Sequence, residues 1–204
     1  MNGTREQFLR RVNAALALLP KRAPLPQWDD ELAVARKLME QRDTLELFIE
    51  RINLVHGLAL TDVPAMVEHL RKGKFLHGYC DPVLLPQLRE HFGPDFILET
   101  EFDRTRPDDY AFGITRAAGA IAETGTIILD DTTTSRRLGA LAPWVHVAVF
   151  PRASIHRTVV DAVANLGGDP NIIWATGPSK TADIEGILIE GVHGPGEQIA
   201  LVLD

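Results

Sequence analysis

Gly177-Pro178-Ser179-Lys180-Thr181-Ala182-Asp183-Ile184-Glu185-Gly186-Ile187-Leu188-Ile189-Glu190-Gly191-Val192-His193-Gly194-Pro195 is the densest stretch of the chain in turn formers, capping residues and polar groups able to do chemistry. It follows Ile172-Ile173-Trp174, a run short and β-branched enough to be a buried strand, which Gly177-Pro178 then breaks. Ser179, Thr181 and Asp183 are helix N-cap types, and Ile184, Ile187 and Leu188 recur at i, i+3, i+4 before Gly191. The pattern predicts strand, loop and short helix. Such a loop gathers unpaired backbone N–H groups that favour an anion. Lys180 is the single Lys or Arg between residues 158 and 204, among seven acids. Two readings of it stay open: an anion ligand, or a surface pair with Asp183 or Glu185.

Working outward, residues 146–150 read as a strand, 156–166 as a helix stopped by Gly167-Gly168, and 172–174 as a strand, together a parallel crossover unit. Residues 126–129 read as a buried strand ending at Asp130-Asp131, residues 117–122 as small and flexible or one helical turn, and residues 112–115 as a further strand. Upstream, helices are expected at 61–72 and 81–91, strands at 75–79 and 96–98, and a last strand at 198–203. This alternation marks an α/β fold with a mostly parallel sheet and helices on both faces. Residues 3–19 and 29–56 read as helices joined by a proline-containing linker, the second capped by Asp29 or Asp30 and striped with Leu32, Ala35, Leu38, Leu45, Phe48 and Ile52. The expected organisation is a helical arm over 1–60 and one α/β unit over 61–204.

Composition narrows the function classes. The 204 residues are 45% hydrophobic and 24% charged, ordinary for a globular chain, and suit one domain rather than two large ones. A formal charge of -7 argues against a nucleic-acid binder, which needs a basic face. One cysteine, Cys80, excludes an internal disulfide and a self-contained iron–sulfur cluster. No apolar run reaches the length of a membrane span, and the start lacks a signal-peptide core, so the expectation is a cytoplasmic protein. The seven histidines show no metal-ligand spacing, and no metal site is expected. A P-loop, a dinucleotide fingerprint and a nucleophile elbow are absent from the sequence.

The run from Gly177 through Glu185, followed by Gly191-Val192-His193-Gly194-Pro195, together with Ala122-Glu123-Thr124-Gly125-Thr126, resembles the lactate-utilization (LUD) family, in particular its short LutC-type members. The likeness covers the second half of the chain, from about residue 112. It implies a fold related to the ribose-5-phosphate isomerase and coenzyme A transferase group. It also implies a part in oxidising L-lactate to pyruvate beside cysteine-rich partner proteins that carry iron–sulfur clusters, with no cofactor of its own. By analogy with that fold group, where a loop glutamate is base or nucleophile, Glu123 is a catalytic candidate. His193, flanked by glycine and titrating near neutral pH, is the second. Arg116, Thr124, Gly125, Thr126, Gly177, Ser179, Lys180, Thr181 and Asp183 are substrate-binding candidates, with the site expected at the carboxyl ends of strands where the two motif loops meet. Asp130-Asp131 and Arg136-Arg137 read more simply as a solvated turn and surface residues. A free-standing enzyme on a phosphorylated or coenzyme A-linked acid, and a non-catalytic assembly subunit, remain alternatives.

Overall fold

A computed structural model of the chain describes residues 4–17, 41–168, 171–182 and 187–204. It divides into a unit over Met1–Lys37 and a unit over Leu38–Asp204. In the first, α1 (Arg5–Ala17) is exposed throughout, including Phe8, Val12 and Leu16. The linker, the Asp29 or Asp30 cap and the stripe residues Leu32, Ala35 and Leu38 lie outside the described residues.

The second unit is built on six parallel strands in the order β1 (Leu58–Leu60), β12 (Glu197–Leu203), β7 (Val145–Pro151), β4 (Phe112–Arg116), β2 (His77–Cys80), β3 (Ile97–Glu99). The central strands are buried on both faces, which is why they read as near-continuous apolar runs. One face carries Phe112, Ile114, Val145, Val147, Ile199 and Leu201 and packs on α3 (Val63–Lys72) and on the segment around α4 (Leu85–Leu88). Asp62 caps α3 by accepting from the Ala65 N–H at 2.8 Å. On the other face Ala148, Phe150, Ala200 and Val202 pack on α2 (Thr44–Leu54), on Ala140 of α5 (Arg137–Leu141) and on a second sheet.

That second sheet has the order β8 (Ile155–His156), β5 (Gly119–Ile121), β6 (Thr126–Asp130), β9 (Ile172–Ala175), with β6 antiparallel to both neighbours. Its far side, through Ile121 and Ile128, packs on Ala162 of α6 (Val159–Asn165). The sheet of mostly parallel strands with helices on both faces is therefore the observed architecture.

Four readings change. Residues 119–121 form β5 rather than a helical turn: Gly119 lies so close to the Ser154 carbonyl, 2.4 Å from an ideal Cβ position, that only a bare backbone fits, and small residues there serve strand packing. The expected parallel crossover fails because β7 belongs to the large sheet and β9 pairs antiparallel with β6 in the other. Within residues 177–191 the short helix is replaced by a hairpin of β10 (Lys180–Ala182) and β11 (Leu188–Glu190), in which Ile189 opposes Thr181. Residues 183–186, with Asp183 and Ile184, lie outside the described residues. Lastly, the expected helix over 29–56 has a fresh start at Asp43, whose side chain accepts from the Leu45 and Glu46 N–H groups. Leu47, Phe48 and Ile52 of α2 are fully buried and β1 pairs with β12, so the compact unit begins before residue 61.

Candidate functional site

The two motif loops do meet, and what they close on is the last turn of α2. Gly125 has φ +67, and a Cβ there would stand 2.4 Å from the Ile52 nitrogen; Gly177 has φ +76 with its Cβ position 2.1 Å from the Val55 carbonyl oxygen. Glycine is required at both by conformation and by space. Hydroxyls lace the loops together: Thr124 Oγ1 to Thr126 Oγ1 at 2.7 Å, and Thr126 Oγ1 to Thr176 Oγ1 at 2.7 Å. Lys180 Nζ donates to the Val55 carbonyl at 2.9 Å, satisfying a helix-end acceptor where a cation is favoured. It also lies 3.7 Å from Glu190, which pairs with His56 at 2.8 Å.

This cluster sits at the amino ends of β1, β7 and β12, not at the carboxyl ends expected from the sequence. Val55 precedes β1; Ser179 donates to the Pro195 carbonyl just before β12; and Glu197, which opens β12, donates to Trp144, which precedes β7. The displacement follows from the reversal of β9: antiparallel to β6, it carries residues 176–179 to the opposite pole.

Glu123 and His193 have separate surroundings. One carboxylate oxygen of Glu123 accepts the Val159 N–H at 2.9 Å, at the first turn of α6, beside the capping box of Thr158 and Asp161. His193 is exposed on the 191–196 turn, a turn tied to Ser179 by the bond from the Gly191 N–H to the Ser179 carbonyl. Among the described residues no hydrogen bond joins Glu123 to His193. Thr181 lies in β10, and Asp183 falls outside the described residues.

Arg116 stands apart from these, at the carboxyl end of β4. Its Nε donates to Asp81 Oδ2 at 2.8 Å, and Asp81, fully buried after β2, also accepts from the Val83 N–H. Here the chain reverses direction across the sheet: β2 leads outward to β3, whereas β4 leads the other way to β7 and β12. Such a switch point is where open α/β sheets form ligand crevices. A cavity of about 260 Å³, lined by Arg116, Thr133, Leu84 and Gln87, opens at this place. Asp81 was not singled out in the sequence; a lone Asp-Pro pair signals a helix start and hides a buried partner.

Deeper in the same sheet, His146 of β7 is fully buried between Thr115 and Gln198, with ring nitrogens 2.9 Å from the Thr115 hydroxyl and 2.9 Å from the Gln198 amide nitrogen. Burial pushes its pKa down to about 4. Burial likewise raises the Cys80 thiol to about 12, so it is no ready thiolate. Among the described residues no three His, Cys, Asp or Glu side chains gather as a metal site, and no helix is long and apolar enough to cross a membrane.

Comparison with known proteins adds the following. A model of the LUD domain family matches residues 85–203, more than half of the chain. The chain is 44% identical over 87 residues to Lactate utilization protein C of Deinococcus radiodurans, spanning 40% of this chain and 41% of that protein. It is 37% identical over 91 residues to Lactate utilization protein C of Bacillus subtilis, spanning 41% of this chain and 38% of that protein. Those matches cover less than half of each relative's length. With Lactate utilization protein C of Anoxybacillus flavithermus the identity is 27% over 218 residues, spanning 97% of this chain and 98% of that protein. A crystal structure of a DUF162 family protein from Deinococcus radiodurans superposes with a TM-score of 0.40 at 21% identity, over 69% of this chain and 98% of that chain.

Proposed function

The chain belongs to the LUD domain family, and on that premise we propose that it serves L-lactate utilization, as a subunit contributing to the oxidation of lactate to pyruvate with iron–sulfur partner proteins. One observation carries the reading: the match to a Lactate utilization protein C runs through 97% of this chain and 98% of that protein. Oxidising lactate to pyruvate releases two electrons and two protons. A chain whose one cysteine is buried has no thiolate set to hold a cluster, so the electrons pass to partners. Its own contribution is to hold the acid. Arg116 gives Nε to Asp81, leaving its terminal nitrogens to take a carboxylate in the cavity at the carboxyl edge. At the opposite pole the loop from Ser179 to Thr181 is the alternative anchor for an anion, and Glu123 and His193 are the proton-moving candidates of that alternative site.

Deleting the gene should abolish growth on L-lactate while sparing growth on pyruvate, and a tagged copy should bring down cysteine-rich iron–sulfur proteins. Undiminished growth of the deletion strain on lactate would overturn the proposal. A second reading, a non-catalytic assembly subunit, is favoured by how fully the motif loops are used in holding α2 and α6. Complementing copies with Glu123→Gln or His193→Asn separate the two. Loss of growth at an unchanged melting temperature assigns chemistry to the residue, and normal growth with both assigns the loops to assembly.

A further inference from the structure

A larger cavity, of about 690 Å³, lies beside the first, between the segment after β3 and the stretch that joins β6 to α5. Phe102, Leu138, Leu141 and Ile173 form an apolar wall, and Arg104, Arg136 and Arg137 line the rest, against one acid, Asp131. Excess positive charge in a cleft is unusual on a chain of net charge -7, and it concentrates anions there. Arg137 is held by Asp131 at 2.8 Å and Arg136 reaches the exposed Glu101 at 3.2 Å, while Arg104 has no ion pair with a described residue.

The second observation is independent of charge. Thr134 lines this cavity and is 4% exposed, and its hydroxyl has no hydrogen-bond partner among the described residues. A buried hydroxyl left unpaired is destabilising, a cost that a ligand acceptor in the cavity removes. The stretch that presents it is fixed before any ligand arrives. The Thr134 N–H donates to the Asp130 carbonyl, Asp130 also accepts from the Thr133 N–H, and Ser135 bonds the fully buried Tyr79 hydroxyl at 2.8 Å.

We propose that this cleft binds an organic phosphate of about mononucleotide size, with the phosphate between Arg104, Arg136 and the Thr134 hydroxyl and the organic part against Phe102, Leu138 and Ile173. Guanidinium groups suit phosphate oxygens through paired N–H donors. The volume lies in the range of small-molecule sites and far exceeds what a three-carbon acid fills. The site is separate from the motif loops, and its test needs neither lactate nor partner proteins.

Calorimetric titration of the purified chain with adenosine monophosphate, inorganic phosphate and adenosine reads it directly. Adenosine monophosphate should bind saturably, at least about tenfold more tightly than either fragment, because charge and apolar wall contribute together. Arg104→Gln and Arg136→Gln should each weaken it about tenfold. Thr134→Val should weaken it several-fold while leaving the melting temperature equal or higher, since the hydroxyl bonds no described residue. Absence of saturable binding at millimolar concentration, equal binding of inorganic phosphate, or affinity untouched by Arg104→Gln, Arg136→Gln and Thr134→Val would each overturn the proposal.

Discussion

Protonating His146 inside the sheet is costly because the ring is fully buried and its charged form would lose hydration, a penalty that the Gln198 side chain offsets only in part. With the Gln198 amide nitrogen donating to Nδ1, the ring keeps its proton on Nε2 and gives it to Thr115. The folded-state pKa of about 4 lies below the ordinary 6.5, so the unfolded chain takes up a proton that the folded chain refuses. Stability is therefore full above about pH 6.5 and declines as pH falls toward 4, by up to about 3 kcal/mol from this group. The measurement is the urea midpoint at pH 7, 6 and 5, a window above most carboxylate titration. His146→Gln should flatten the slope there, and an unchanged slope would show that the ring is not the proton sink. The sequence placed His146 in a buried strand without revealing its partners. Thr115 and Gln198 lie 31 and 52 positions away, and register alone brings them to one layer.

At the scale of elements, α2 is the post on which both motif loops hang. Gly125→Ala would force a side chain into the left-handed region and against the Ile52 nitrogen, costing about 1–3 kcal/mol for the conformation alone. At roughly 2–4 °C per kcal/mol for a chain of this size, the melting temperature should fall by about 5 °C or more. Lys180→Met removes one helix-end donor at a partly exposed site and should lower it by about 2–4 °C. If thermal scans rank the two in reverse, the loops are not anchored to α2 as described. The glycines and hydroxyls of these loops were legible as a signature, while their target was not, because a helix more than 70 positions upstream cannot be read from local pattern. The hairpin was missed for a narrower reason. Ile184, Ile187 and Leu188 satisfy helical spacing, yet Ile187-Leu188-Ile189 is as apt for a strand, and a run this short does not decide between them.

Over the whole molecule, the strands legible as apolar runs were found nearly where expected, but their order is set by contacts that no run encodes. That order is what separates the poles: motif loops at the amino ends of β1, β7 and β12, cavities and the Asp81–Arg116 pair at the carboxyl ends beside the reversal of β2 and β4. The pair ties the two strands that diverge there. Asp81 is fully buried and Arg116 is a third exposed, so the cost of losing one partner is unequal. Arg116→Met strands a buried carboxylate and should cost about 3 kcal/mol, the low end for such breakage given the partial exposure. Asp81→Asn leaves a neutral acceptor for the Val83 N–H and an arginine that can reach water, and should cost less. The double variant removes the stranded charge, so it should recover much of the loss seen with Arg116→Met alone. Denaturant unfolding of the four proteins checks this, and strict additivity would mean the two side chains act independently. Growth on lactate adds the functional reading. If Arg116 holds the substrate carboxylate, the double variant regains stability without regaining growth, and recovery of both would leave the pair a purely structural tie across the switch point.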